Sequence, residues 1–286
     1  MSRDWAEETA QRLLRSDFIE RGSCLVLGGA DTGKTTLVAA IARQVSSSQP
    51  VGIIDADIGQ SHIGPPTTVG WGIVDKGQAE PWQVKAGGIS FVGDVTPAGH
   101  LLQLTAAIVQ CFQQVSRESK LIIIDTPGFV FGPAAAGLWW QVHRILQPEL
   151  IIAVQRNDEL RDILGGLGAL GQKLEQIECP PQIRAKSPQE RQKYRQNQFN
   201  KYFRGCRLYD ISLRDVAVQQ SRNLGGKTMN NRLVALRDGE GIDIAIGQIK
   251  NWQFDKAVAI VRAPQTDIGQ IRFLVIGEVT IEIADE

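Results

Sequence analysis

The apolar run Cys24-Leu25-Val26-Leu27 leads into Gly28-Gly29-Ala30-Asp31-Thr32-Gly33-Lys34-Thr35-Thr36, and a helix-like stretch, Leu37 to Val45, follows. A glycine-rich loop held between a strand and a helix is the phosphate cradle called a P-loop. Gly28 and Gly33 let the backbone curl so that successive N–H groups point inward, Lys34 reaches the outer phosphates, and the Thr35 hydroxyl can ligate magnesium. The helix beyond adds its positive N-terminal end. Gly28, Gly29, Ala30, Asp31, Thr32, Gly33, Lys34, Thr35 and Thr36 are therefore expected to hold a nucleoside triphosphate.

That loop demands an α/β sheet around it, and the chain supplies one. Val51-Gly52-Ile53-Ile54, Leu121-Ile122-Ile123-Ile124 and Leu150-Ile151-Ile152-Ala153-Val154 are continuous apolar runs, as buried parallel strands are. Helical stretches separate them: His100 to Glu118 spaces Leu101, Leu104, Ile108, Cys111, Phe112 and Val115 along one face, with Gly137 to Leu146 and Asp158 to Leu174 as later crossovers. The alternation predicts a helix-covered, mainly parallel sheet with the nucleotide at the carboxyl ends of its strands. Thr67 to Asp94 reads as a hairpin-like insertion. From about Cys206 short runs punctuated by glycines, at 232–236, 242–249, 257–261, 271–276 and 279–283, predict a small antiparallel β unit. The expected division is a P-loop domain over 1–205 and a β domain over 206–286. With 286 residues, 43% of them hydrophobic, the chain can bury a sizeable core. Its 31 basic and 31 acidic residues leave no global charge to draw it to polyanions, so any such site must be local. Four scattered cysteines without a C-x-x-C pair argue against a zinc or disulfide framework and fit a reducing cytoplasm. Residues 1–20 read as a soluble amphipathic helix, and no apolar run is long enough for a membrane span.

Chemistry concentrates in three places. After the second strand, Asp55-Ala56-Asp57-Ile58-Gly59-Gln60 puts acids at the sheet edge where triphosphate and magnesium would sit. Phosphoryl transfer to a hydroxyl needs a carboxylate to receive or orient the acceptor proton, and Asp57 is the candidate, with a further part in holding metal; Asp55 reads equally as a turn cap. The third strand closes on Asp125-Thr126-Pro127-Gly128, a Walker B-like acid that would hold magnesium through water and Thr35. GTPase switches begin with this tetrapeptide. The next strand, however, continues as Gln155-Arg156-Asn157-Asp158, which lacks the Asn-Lys-x-Asp reader of guanine.

The third place is basic. Arg184 to Arg207 carries eight Lys and Arg residues against Glu190 alone, and Ser187-Pro188-Gln189-Glu190 combines a helix cap, a first-turn proline and a capping-box glutamate. Arg191 and Arg195 then share one helix face. Two guanidiniums that repel each other make sense over a shared phosphate, so residues 184–205 are read as a lid.

Taken together, these motifs resemble the polynucleotide 5′-hydroxyl kinase family, which includes the RNA kinases of pre-mRNA 3′-end cleavage and ribosomal RNA processing and has prokaryotic relatives. The resemblance covers Gly28 through Thr36, Asp57-Ile58-Gly59-Gln60, Gly64-Pro65-Pro66, Thr126-Pro127-Gly128-Phe129, Arg191, Arg195 and Tyr202-Phe203-Arg204-Gly205. It implies that Lys34 and Thr35 hold ATP and Mg2+, Asp57 activates the 5′-hydroxyl of RNA or DNA, Gln60 positions that end, and Arg191 and Arg195 stabilise the transferring group. Phe129 stands where members often carry a substrate-stacking Trp, and Asp125 where eukaryotic members often carry Asn or Thr. The large N-terminal β domain of the eukaryotic members is expected to be absent, so their protein partners are not carried over. Competing readings are a nucleotide-dependent switch or assembly ATPase or GTPase, and a catalytically inactive RNA-processing scaffold. His62 reads as a structural loop residue, and Trp139, Trp140, His100 and His143 as packing.

Overall fold

The computed structural model describes residues 2–15, 21–78, 80–220 and 228–283; Met1 and residues 16–20 of the expected N-terminal helix lie outside them. In chain order the elements are α1 (Ser2–Arg15), β1 (Gly22–Gly28), α2 (Lys34–Val45), β2 (Val51–Asp55), β3 (Thr68–Val74), β4 (Gly88–Phe91), α3 (Leu101–Val115), β5 (Leu121–Asp125), α4 (Gly132–Leu146), β6 (Leu150–Gln155), α5 (Arg161–Ala169) and β7 (Leu174–Glu178). There follow α6 (Pro188–Tyr202), β8 (Arg207–Ser212), β9 (Ala217–Gln220), β10 (Arg232–Arg237), β11 (Asp243–Gln253), β12 (Val258–Ala263) and β13 (Phe273–Thr280). No helix of the described residues is long and apolar enough to cross a membrane.

The strands β7-β6-β1-β5-β2 are parallel neighbours, and the expected hairpin, β3 and β4, adds antiparallel strands beyond β2. Continuous apolar strands require cover on both faces, and both have it. Leu25, Leu27, Ile54, Ile122, Ile124 and Ile151 meet α3, α4 and α5 on one side, while Val26, Ile53, Ile123 and Ile152 meet α1 and α2 on the other. This stacking directs the carboxyl ends of β1, β2 and β5 to a common edge.

The C-terminal strands extend the same hydrogen-bonded sheet, through Asp243 of β11 opposite Ile89 of β4. They pair antiparallel except for β9, which runs parallel to β13. Several local expectations shift. The helix read to Leu174 stops at Ala169, because Gly171 takes a left-handed turn (φ +71) and releases the chain into β7. The runs at 271–276 and 279–283 are one strand ending at Thr280, and β8 and β9 escaped the pattern because most of their side chains are exposed.

These strands also anchor helix α6. The predicted capping box is present, with the Ser187 hydroxyl accepting from the Glu190 amide and the Glu190 carboxylate accepting from the Ser187 amide. The helix is polar except at its end, where Phe199 and Phe203 bury themselves among Phe91, Leu233, Ile246, Val275 and Ile281. Burying each phenylalanine is worth about 1.5–3 kcal/mol, enough to fix that end while the other reaches over the P-loop. The Tyr202 hydroxyl accepts a 2.9 Å hydrogen bond from the Ile246 amide. Tyr202→Phe is expected to destabilise the fold by about 1–3 kcal/mol through the orphaned amide, read as a lowered urea midpoint with unchanged m-value.

Candidate active site

Gly33 closes the loop into α2 with φ +94, and its Cβ would press on Ile183; at Gly28 a Cβ would lie 2.3 Å from the Val154 carbonyl. Only glycine fits either place. Two polar side chains of the loop meet one of its carbonyls. The Lys34 ammonium donates to the Gly29 carbonyl at 2.7 Å and the Thr32 hydroxyl to the same oxygen at 3.0 Å. Burial pulls the Lys34 pKa below its ordinary value, against the opposing pull of Asp125, Asp57 and Asp31. A buried cation facing three carboxylates is poised for an anion carrying its own counter-cation.

Asp125 ends β5 fully buried, and its Oδ2 accepts a 2.6 Å hydrogen bond from the Thr35 hydroxyl. Its Oδ1 is buried without a hydrogen-bond partner among the described residues. Burial pushes the Asp125 pKa up to about 7, with Lys34 and Thr35 pulling the other way. An orphaned carboxylate oxygen beside a threonine hydroxyl fits a hydrated divalent cation, the donor set the sequence proposed for Thr35 and Asp125.

The two acids after β2 part company. Asp55 points inward, where its Oδ1 accepts from the Asp57 amide and its Oδ2 from the His62 and Ile63 amides. Burial, and then the charge of Asp125, raise its pKa well above the ordinary range. The sequence puts both acids at the sheet edge, but the chain leaves β2 at Asp55, and only Asp57 lines the cavity. The Asp57 Oδ1 accepts from the Gly59 and Gln60 amides at 3.0 Å each, and its other oxygen takes no hydrogen bond from the described residues. Asp55 shapes the loop; Asp57 faces the opening.

One cavity of about 590 Å³ is lined by Lys34, Thr35, Asp57, Gln60, Phe129, Arg191 and Arg195. Thus P-loop, acid turn and lid share a space. Phe129 is held there because Trp139, fully buried, donates its indole N–H to the Phe129 carbonyl at 2.8 Å. Gln60 donates to the Gly59 carbonyl at 3.0 Å and to the Arg191 carbonyl at 3.4 Å. Tyr194 and Gln198 of α6 both donate to the Ser61 carbonyl, so the lid rests directly on the acid turn.

Some contributors had no sequence signal. Asp31, expected among the nucleotide-holding residues but not as a partner of the lid, accepts the Arg191 guanidinium at 2.5 Å and the Lys186 amide at 2.9 Å, which latches lid to P-loop. Its unusual φ of +55 is what turns it outward. Arg156, which fills the guanine-reader position, donates to the Asp31 and Ile183 carbonyls instead. His62 stacks between Trp82 and Tyr194, with ring centroids 5.0 and 5.8 Å away, and burial followed by the Lys186 charge lowers its pKa to about 4. It packs between these rings at the wall of the same cavity. His143 bonds Gln172 at 2.7 Å, and Trp140 packs on Gly166 while bonding the Ile163 carbonyl.

Known proteins of similar sequence or shape bear on this site. A polyribonucleotide 5′-hydroxyl-kinase of Pyrococcus abyssi is 31% identical over 72% of this chain and 59% of its own length, and one of Pyrococcus horikoshii 28% identical over 74% and 58%. The chain thus spans under two thirds of those relatives; a Pyrococcus furiosus protein of the same name is 24% identical over 90% of this chain and 87% of its own. A chain in the solved wild-type Clp1p–Pcf11p complex superposes with a TM-score of 0.72 at 11% identity, covering 97% of this chain and 78% of that one. Residues 28–205, from the first P-loop glycine to the end of the lid, match the family described as mRNA cleavage and polyadenylation factor CLP1 P-loop, and the chain belongs to that family.

Proposed function

We propose that this protein is a polynucleotide 5′-hydroxyl kinase that transfers the γ-phosphoryl group of ATP to the 5′ end of a nucleic acid, with RNA the acceptor its relatives' names point to. The observation that carries this reading is the single cavity in which a P-loop, an outward carboxylate and two lid guanidiniums face one another. A switch ATPase needs the first of these and a group to orient water, so the fate of the labelled phosphate, on a 5′ end or free, separates the two readings. In this reading Gly28 to Thr36 wrap the triphosphate, and Lys34 leaves the Gly29 carbonyl for the outer phosphates. Thr35 and Asp125, with Asp57 nearby, hold Mg2+, which neutralises phosphate charge when bound. The unbonded oxygen of Asp57 takes the proton of the 5′-hydroxyl, Gln60 and Phe129 place that end, and Arg191 and Arg195 stabilise the group in flight. The β strands of 206–286 serve as the platform on which the lid helix pivots.

The test is incubation with γ-labelled ATP and short 5′-hydroxyl oligonucleotides, RNA and DNA in separate arms. Labelled 5′ ends are expected. Release of free phosphate with no labelled ends, unaffected by oligonucleotide, would overturn the kinase reading in favour of a switch.

The raised pKa of Asp125 gives a pH signature. Its folded value, about 7, exceeds the unfolded one, so its stabilising share is complete below the unfolded pKa and lost as pH rises through about 7. The cation-free protein is therefore expected to lose thermal stability between about pH 4 and pH 7 and to change little above that, while Mg2+ binds more tightly as the pH rises toward about 7. Melting with and without Mg2+ at both ends of that range checks this; Asp125→Asn should shrink both effects.

A further inference from the structure

On the far side of the loop that walls the cavity, three ligand-type side chains converge from separate elements. Asp94 follows β4, His100 caps the start of α3, and Glu278 lies on β13. The His100 Nε2 stands 3.5 Å from Asp94 Oδ2 and 3.2 Å from Glu278 Oε1, and the three ligand atoms lie within 4.8 Å of one another. His100, read from the sequence as apolar packing, is 0% exposed, yet neither of its ring nitrogens makes a hydrogen bond to the described residues.

The His100 Nε2 lies near both carboxylate oxygens yet hydrogen-bonds to neither. A buried, unpartnered imidazole nitrogen grouped with two carboxylate oxygens is a metal donor set. We propose that Asp94, His100 and Glu278 bind a structural Zn2+. Zinc bond lengths of about 2.0–2.2 Å set neighbouring tetrahedral ligands about 3.3–3.5 Å apart, which the two observed separations bracket closely. One imidazole, two carboxylates and a water complete the four positions.

Backbone pairing has already prepared the donors. Asp94 spends Oδ1 on the Val95 and Thr96 amides, which leaves Oδ2 for the metal. The His100 amide bonds the Pro97 carbonyl at 2.9 Å, and the Glu278 amide bonds the Gly93 carbonyl at 2.8 Å. Asp94 and Glu278 are 19% and 28% exposed, so an ion can enter from solvent. Val95, Thr96 and Pro97 line the phosphate cavity, and the Val95 carbonyl lies so near Gly59 that a Cβ there would come within 2.8 Å. Zinc at this point staples the wall facing the Asp57 turn to β13 and the C-terminal platform.

The experiment uses the whole chain, stripped with chelator, desalted, and held in excess Mg2+ so that the P-loop acids are occupied. Zinc sulfate is titrated in, and bound zinc is measured by mass spectrometry of the metal alongside the melting temperature. One zinc per chain and a raised melting temperature are expected. Glu278→Gln and Asp94→Asn, isosteric changes at partly exposed positions, should each weaken zinc binding about tenfold or more and remove the thermal gain. His100→Gln should abolish both. Absence of stoichiometric zinc, or the same zinc response in both carboxylate variants, overturns the proposal. So does a melting temperature that rises on acidification through the histidine range without any response to zinc, since that identifies a protonated imidazole clamped by two acids.

Discussion

Asp57→Asn is expected to lower kcat for 5′-phosphorylation by about 10²–10⁴-fold with little change in melting temperature. The substitution is unusually clean at this position. The Asp57 Oδ1 accepts the Gly59 and Gln60 amides that hold the turn, and an asparagine carbonyl accepts them equally well. What Asn removes is the negative charge and the proton-accepting capacity of the oxygen that faces the cavity. Asp55→Asn is the contrasting control. Asp55 is fully buried and takes amides from Asp57, His62 and Ile63, so an amide there must give one of those oxygens up for an N–H group that meets donors head-on. Its damage should fall on stability and loop order, visible in the melt, whereas that of Asp57→Asn should be confined to turnover. Steady-state kinetics on a 5′-hydroxyl oligonucleotide, run beside thermal melts of both variants, separates the two. Near-normal kcat for Asp57→Asn would remove Asp57 as the acceptor of the proton.

The contrast also marks what a sequence can reveal. The P-loop, the Walker B-like Asp125 and the capping box at Ser187 were legible because each depends on residue types within a few positions of one another, where chain geometry leaves little choice. The parallel strands were legible because burial on both faces forces unbroken apolar runs, as in Leu121 to Ile124. Strands β8 and β9 were not, since an exposed edge strand has no such pattern to keep. Long-range geometry was invisible for the same reason. Asp31 and Arg191 stand 160 residues apart and meet only because Phe199 and Phe203 root the lid helix on strands that come later in the chain. The grouping of His100 with Asp94 and Glu278 was equally hidden, since a histidine in an apolar helix carries no sign of acids brought to it from other elements. The Tyr202-Phe203 pair reads in sequence as a motif of the lid, and its physical work is anchorage: one residue ties the Ile246 amide and the other fills a pocket of the C-terminal strands.

Arg191 and Arg195 line the same cavity, but among the described residues only Arg191 has a side-chain partner, Asp31. That asymmetry yields a prediction that separates latch from catalyst. If Arg191 did nothing but close the lid, Arg191→Ala and Asp31→Ala would remove the same contact, produce the same modest defect and not add when combined. A guanidinium that also meets the transferring phosphoryl group is worth far more, about 10³-fold or greater in turnover. Arg191→Ala is therefore expected to lose at least about 10²-fold more kcat than Asp31→Ala, and Arg195→Ala to match Arg191→Ala although it breaks no latch. Lysine should rescue neither position, since a point charge cannot span two phosphate oxygens as a planar fork does. The Asp31→Ala variant should itself bind ATP with altered affinity while retaining most of its kcat, because the triphosphate replaces the carboxylate as the anion that Arg191 holds. Single-turnover rates with saturating ATP and oligonucleotide test these variants on one scale. Equal, small and non-additive defects at Arg191 and Asp31 would confine Arg191 to lid closure and leave Arg195 as the lone guanidinium on the phosphoryl group.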